Sequence, residues 1–323
     1  MREGLSYDDV LLVPKEGILE KRKDAYLGTS LTENFHLGIP IISAPMSSVT
    51  EYKMARAMAL AGGLGVIHRK GRFEDIQAQV DEYGLASKDI LHGALQVACA
   101  IGINDIDRLD ALYQNGCRVF FVDVAHAHHK RVGYWLDAIR GGYPKGVIEL
   151  IAGNVATHDG ALFLEEHGVD GIKVGIGPGA ACITREVTGF GVPQLTAISY
   201  APWLNVPVIA DGGIKNSGDI VKALAAGASS VMIGSLFAGA DEAPSPGNYW
   251  GEASKKVNGH NAPEGVEGTV VKTGPVSNTI KKLTWGIRSG LSYAGATNIQ
   301  ELRDNAEFIR VSPLTQRESS ARI

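Results

Sequence analysis

The segment from Gly175 to Gly189, GIGPGAACITREVTG, concentrates the residues best suited to chemistry. Three glycines precede Cys182, and glycine lets backbone approach a ligand closely or adopt positive φ. A cysteine beside open backbone N–H groups is held partly as thiolate and can act as a nucleophile. The bland alternative is a small buried apolar residue. That alternative suits Cys99 and Cys117, which lie in or beside apolar runs. It suits Cys182 poorly, because Thr184, Arg185 and Thr188 follow at once.

A second group of residues resembles an anion cradle. Asp211, Gly212 and Gly213 end one apolar run, and Gly234 and Ser235 end the next. Backbone N–H groups from two successive loops of this kind bind phosphate in barrel enzymes, helped by a nearby helix N-terminus. Asp211 has no evident structural need, and a carboxylate there suits the paired hydroxyls of a ribose. His126, His128 and His129 lie close together. They read as a polar loop after a strand, because no carboxylate or Cys stands at a recognisable metal-ligand spacing.

Eight short apolar runs are available to position these groups: Ile39–Met46, Gly63–His68, Leu95–Ala100, Arg118–Ala125, Ile148–Val155, Gly171–Ile176, Pro207–Gly212 and Ser230–Ser235. They are mostly apolar on both faces, as buried parallel strands are. Helix-like patterns fill most intervals, for example Glu51–Ala61, Asn104–Asn115, His158–His167 and Ser217–Ala226. Gly116, Gly168 and Gly227 stand where such helices must end and turn back into a strand. Eight βα units predict a single α/β domain over residues 1–323, a (β/α)8 TIM barrel. The polar strand tips would gather on its C-terminal face. Residues 241–270, rich in Pro and Gly, are expected as a long mobile loop over that face, and 302–323 as peripheral.

Composition narrows the class. The net charge of -4 argues against a sequence-independent nucleic-acid binder. No membrane span of ~18 residues is expected, and Asp8 and Asp9 stand where a signal peptide would need an apolar run. Three cysteines without regular spacing form neither a disulfide framework nor a zinc site. A cytoplasmic protein is the expectation.

The Cys182 loop and the run IADGGIKNSGDIVKALAAGASSVMIGSLFAG closely resemble the inosine-monophosphate dehydrogenase and guanosine-monophosphate reductase superfamily. So do SYDDVLLVP at 6–14, SAPMSSVTE at 43–51, GLGVIHR at 63–69, IAGNVAT at 151–157, PEGVEG at 263–268 and LTWGIRSGLSYAGA at 283–296. The resemblance covers nearly the whole chain. It implies a purine 5′-monophosphate substrate, attacked at C2 by the Cys182 thiolate, with Thr184 and Glu264 relaying protons. It implies Asp211 on the ribose, and Gly212, Gly213, Gly234, Ser235 and Tyr249, with Ser254 and Thr188, around the nucleotide. Asp123, Gly153, Asn154 and Gly175 match positions at the dinucleotide. The carbonyls of Gly177, Gly179 and Cys182 match a monovalent-cation (K+) site. A homotetramer is implied as well.

Within the superfamily, three features point to the reductase branch, which uses NADPH to convert GMP to IMP and ammonia. The loop from Tyr249 to Glu264 lacks the Arg-Tyr pair that activates water in the dehydrogenases. Thr188 is a reductase-like residue. No regulatory tandem (CBS) domain is inserted after His68-Arg69. SAPMSSVTE and PEGVEG point the other way, to an NAD-dependent IMP dehydrogenase. A non-catalytic nucleotide-binding barrel is a further alternative. Several positions depart from the family pattern: Ser47 replaces Asp, Arg69 replaces Lys, Ala180 replaces Ser, Glu252 replaces Met, and Asn261 replaces an Arg frequent in reductases.

Overall fold

The computed structural model describes residues 3–88, 97–259 and 261–319. Eight parallel strands close into a barrel. They are β1 (Ile41–Ser43), β2 (Leu64–Ile67), β3 (Val97–Ile101), β4 (Val119–Asp123), β5 (Glu149–Val155), β6 (Gly171–Val174), β7 (Val208–Asp211) and β8 (Ser230–Ile233). Each falls within or beside an expected apolar run; Leu95 and Gln96 of the third run lie outside the described residues. The helices α1 (Tyr52–Leu60), α2 (Ile76–Ser87), α3 (Ile106–Gln114), α4 (Lys130–Gly142), α5 (His158–Glu166), α6 (Thr184–Thr188), α7 (Gln194–Ile198) and α8 (Ser217–Ala225) follow the strands in order. Gly116, Gly168 and Gly227 have φ of +98°, +76° and +119°, as chain reversal after a helix requires.

Alternation along the strands sorts side chains into two cores. Ile42, Leu64, Val66, Ala98, Ala100, Val119, Phe121, Ile151, Ile209 and Met232 fill the barrel interior. Leu31, Phe35 and Leu37, from the ribbon formed by Thr29–Ser30 and His36–Leu37, pack into this same cluster. Their neighbours in sequence, such as Ile41, Val122, Ile172, Val174 and Val231, face the helices in a second, larger cluster. Inward-facing residues one step further along the strands are polar: Asp123 on β4, Lys173 on β6 and Asp211 on β7. The site is therefore the continuation of the barrel core toward its C-terminal end.

Residues 241–270 contain a folded flap. Strand β9 (Asn248–Trp250) pairs antiparallel with β10 (Glu267–Thr269), and the one-turn helix α9 (Lys255–Asn258) lies between them. Long α10 (Val276–Tyr293) then packs on α8, and α11 (Ile299–Asn305) follows. Among the described residues no helix is long and apolar enough to cross a membrane.

Candidate active site

A cavity of about 530 Å³ opens at the C-terminal ends of the strands, well sized for a small-molecule ligand. Cys182, Thr184 and Glu264 line it together. Backbone pairing fixes their relation. Ile183 N–H donates to the Glu264 carbonyl at 2.8 Å, and Val266 N–H to the Ala181 carbonyl at 2.9 Å. The flap is thereby stitched to the Cys loop as a short antiparallel contact between Cys182 and Gly265. The Cys182 thiol donates to Thr184 Oγ1 at 3.1 Å, a first step for moving its proton away.

Cys182 is half-buried, whereas Cys99 and Cys117 are fully buried. Burial, reinforced by Cys117, pushes the Cys99 thiol well above its ordinary range. A limiting alkylating agent should therefore label Cys182 alone in the native protein and all three cysteines after unfolding. Peptide mapping of the labelled chain checks this, and comparable labelling of Cys99 in the native state would refute it.

Opposite Cys182 lies the expected cradle, lined by Gly212, Gly213, Gly234, Ser235 and Tyr249. Gly212 and Gly213 have φ of +94° and +81°, a turn that presents successive N–H groups to one point. The Asn216 side chain caps helix α8 by accepting from Asp219 N–H at 3.1 Å. Tyr249 is buried against Gly234, where an added Cβ would sit 3.0 Å from the phenol oxygen. Burial, then the nearby Asp211 and Cys182, raises its phenol pKa, so Tyr249 stays a neutral donor.

The floor of the cavity holds a group that sequence reasoning missed. Lys173 is buried and its ammonium bridges Asp123 at 2.8 Å and Asp211 at 2.7 Å. It also donates to Asn154 Oδ1, while Asn154 Nδ2 donates to Asp211 at 2.9 Å. Burial alone would lower the Lys173 pKa, but the two carboxylates outweigh it and the net shift is upward. The lysine stays charged and locks Asp211 in one orientation. A Lys within an otherwise apolar strand at 171–174 was the available signal, since such a side chain must find partners.

Glu252 on the flap also lines the cavity. Its carboxylate accepts from Ser47 N–H at 2.5 Å and from Ser47 Oγ at 2.7 Å. Burial raises its pKa, against the lowering effect of the Ser47 donors and His68, and Asp123 adds to the rise.

Of the remaining expected residues, Gly175, Gly177, Gly179 and Asp123 line the cavity, and Asn154 supports it through Asp211 and Lys173. Gly153 lies behind it in β5, against Lys173. Ser254 is buried at the start of α9 and Thr188 is exposed, so neither lines the cavity. The Thr188 hydroxyl donates to the Thr184 carbonyl at 2.7 Å and accepts from Phe190 N–H at 3.1 Å. It closes its own helix and does not report on the reaction. In the histidine loop after β4, His129 caps α4 by accepting Arg131 N–H at 3.1 Å. No metal-type cluster of His, Cys, Asp and Glu occurs among the described residues.

Residues 4–322 match the family described as IMP dehydrogenase / GMP reductase domain. The chain is 36% identical to an inosine-5′-monophosphate dehydrogenase of Cryptosporidium parvum, over 98% of this chain and 94% of the relative. It is 34% identical to the enzyme of that name from Aquifex aeolicus (99% and 95%) and 33% identical to that from Nitrosopumilus maritimus (96% and 96%). The protein belongs to the IMP dehydrogenase / GMP reductase family, a family of nicotinamide-dependent oxidoreductases. The reductase branch expected from the sequence is overturned, and the expectation of NADPH falls with it, because these relatives are named as dehydrogenases. Thr188, one of the features that suggested the reductase, lies outside the cavity.

Proposed function

We propose that this protein oxidises inosine 5′-monophosphate to xanthosine 5′-monophosphate with NAD, as a single-domain dehydrogenase without an inserted regulatory module. The observation that carries the reading is the Cys182–Thr184 contact at 3.1 Å, in a cavity that also holds a phosphate-type cradle and an oriented Asp211. The relatives' names support the direction of the reaction. The alignment with the A. aeolicus enzyme runs over 471 residues against 323 in this chain, which supports the missing module.

The nucleotide phosphate would lie on the N–H groups of Gly213, Gly234 and Ser235 and the Tyr249 hydroxyl. The ribose hydroxyls would donate to Asp211, which Lys173 holds in place. That fixes the purine over Cys182. The thiol passes its proton toward Thr184 and Glu264, and Sγ bonds to C2. NAD, when bound, supplies the two-electron acceptor for the hydrogen that leaves C2. The cavity wall at Asp123 and Gly175 fits such a group, with a hydrogen-bond acceptor beside a residue lacking a side chain. Water then adds to C2, the C2–Sγ bond breaks, and the thiol is restored.

Gly177, Gly179 and Cys182 would offer carbonyls to a monovalent cation, an oxygen-only donor set suited to a hard ion. The Gly179 carbonyl accepts Cys182 N–H at 3.0 Å and keeps a second lone pair for that use. Purified protein with IMP, NAD and potassium should produce NADH absorbance and xanthosine monophosphate in equal amounts. NADPH consumption with GMP and no reaction with IMP would refute the proposal.

A further inference from the structure

We propose that the Glu252 carboxylate is the general base that removes the proton from the water hydrolysing the Cys182–purine adduct. The proposal rests on the dehydrogenase reading above and names the group that performs its second half. That half needs a base, and the flap from Tyr249 to Glu264 contains no Arg-Tyr pair.

Three observations converge on Glu252. It lines the same cavity as Cys182, on a flap segment pinned to the Cys loop. Gly251 N–H donates to the Val266 carbonyl at 3.1 Å, and Val266 N–H to that of Ala181, so residue 252 is carried on backbone held beside the nucleophile. Its side chain is oriented in advance. Trp250 Nε1–H donates to Ser47 Oγ at 2.9 Å, which commits the Ser47 hydroxyl proton to Glu252. Lys256 lies 3.6 Å from the Trp250 ring and steadies that indole. Finally, Ser47 and Glu252 touch across 205 positions of sequence, so the contact sets the flap carboxyl against the loop that follows β1.

The Ser47 donors need only an acceptor, which glutamine provides without burying a charge in a cavity wall. Besides Ser47, the groups acting on Glu252 include His68 beyond β2 and Asp123 on β4, with burial itself; Tyr249 on β9 feels its charge in turn. The net upward shift brings the base form closer to the working pH, where a general base is most effective. In the step, a water oxygen bonds to C2 and its proton passes to Glu252. The C2–Sγ bond breaks with its electron pair on sulfur, and the proton returns to Sγ through Glu252 or Thr184. No further reactant is needed.

Stopped-flow mixing of enzyme, IMP and NAD tests this, with Glu252→Gln keeping the acceptor for Ser47. The variant should give a burst of one NADH per active site at a rate within about threefold of the parent. Steady-state turnover should then fall by about 10²-fold or more, the usual worth of a general base. Intact-mass measurement should find the adduct accumulated on Cys182. Hydrolysis in the parent should rise with pH through the Glu252 titration, and the variant should lose that limb. Ser47→Ala, which removes a donor favouring the carboxylate, should move the limb to higher pH.

A carboxyl whose folded pKa is raised contributes stability below its unfolded pKa and loses it as pH rises through the folded pKa. Glu252→Gln should therefore melt at or above the parent temperature at pH 8. Turnover within threefold of the parent, or a burst slowed as much as turnover, overturns the proposal. A parent enzyme that forms no NADH from IMP removes the dehydrogenase reading and this step together.

Discussion

Cys182→Ala is expected to lower turnover of IMP by roughly 10³-fold or more, the scale on which removal of a covalent nucleophile is felt. The effect should fall almost wholly on kcat. Asp211, the Gly212–Gly213 turn and the Gly234–Ser235 loop are held by β7 and β8, not by the thiol, so the variant should still bind nucleotide. Isothermal titration with IMP should give an affinity within a few-fold of the parent. Cys182 is half-buried and its side chain hydrogen-bonds Thr184, a contact of modest worth, so its loss should shift the melting temperature little. Loss of nucleotide affinity in proportion to activity would place Cys182 in binding instead of bond formation.

Lys173→Met is expected to produce the largest loss of stability at the site. The lysine sits in the barrel interior with a carboxylate on either side, at 2.8 and 2.7 Å. Removing one partner of a buried ionic group costs about 3–5 kcal/mol, because the remaining charges lose their compensation. For a chain of 323 residues that corresponds to a fall of roughly 4–8 °C in melting temperature. Asp123 and Asp211 would then share the site without the cation that bridges them. Thermal melts read the effect, and a melting temperature unchanged from the parent would contradict it. Nucleotide affinity should fall as well, since Asp211 loses the group that orients it.

Most of the barrel was legible because its strands are short apolar runs ending in polar or glycine-rich tips, and those tips became the cavity. The Cys182 loop was legible for the same reason. Lys173 was missed although it lies in one of those strands. Attention went to residues at the tips, while the alternation that turns Ile172 and Val174 outward turns Lys173 inward. The flap ribbon was not legible as strands. Its two strands have three residues each, β10 is exposed throughout, and pairing across the intervening residues leaves no periodic signal. The branch of the family was misjudged from features that do not decide it: Thr188, which lies outside the cavity, and a flap that lines the cavity but carries no Arg-Tyr pair. The contact between Ser47 and Glu252 could not be read either, because 205 positions separate two residues that each look like an isolated change.

Oxidation of IMP through a covalent bond between Cys182 and the purine should leave an intermediate that can be trapped. Its most direct test is intact-mass analysis of enzyme quenched in acid during turnover with IMP and NAD, followed by peptide mapping. The expected result is a species heavier than the free chain by one oxidised nucleotide, carried on the peptide containing Cys182 and absent from Cys182→Ala. Turnover without any such species, or a modification mapped to Cys99 or Cys117, would contradict it.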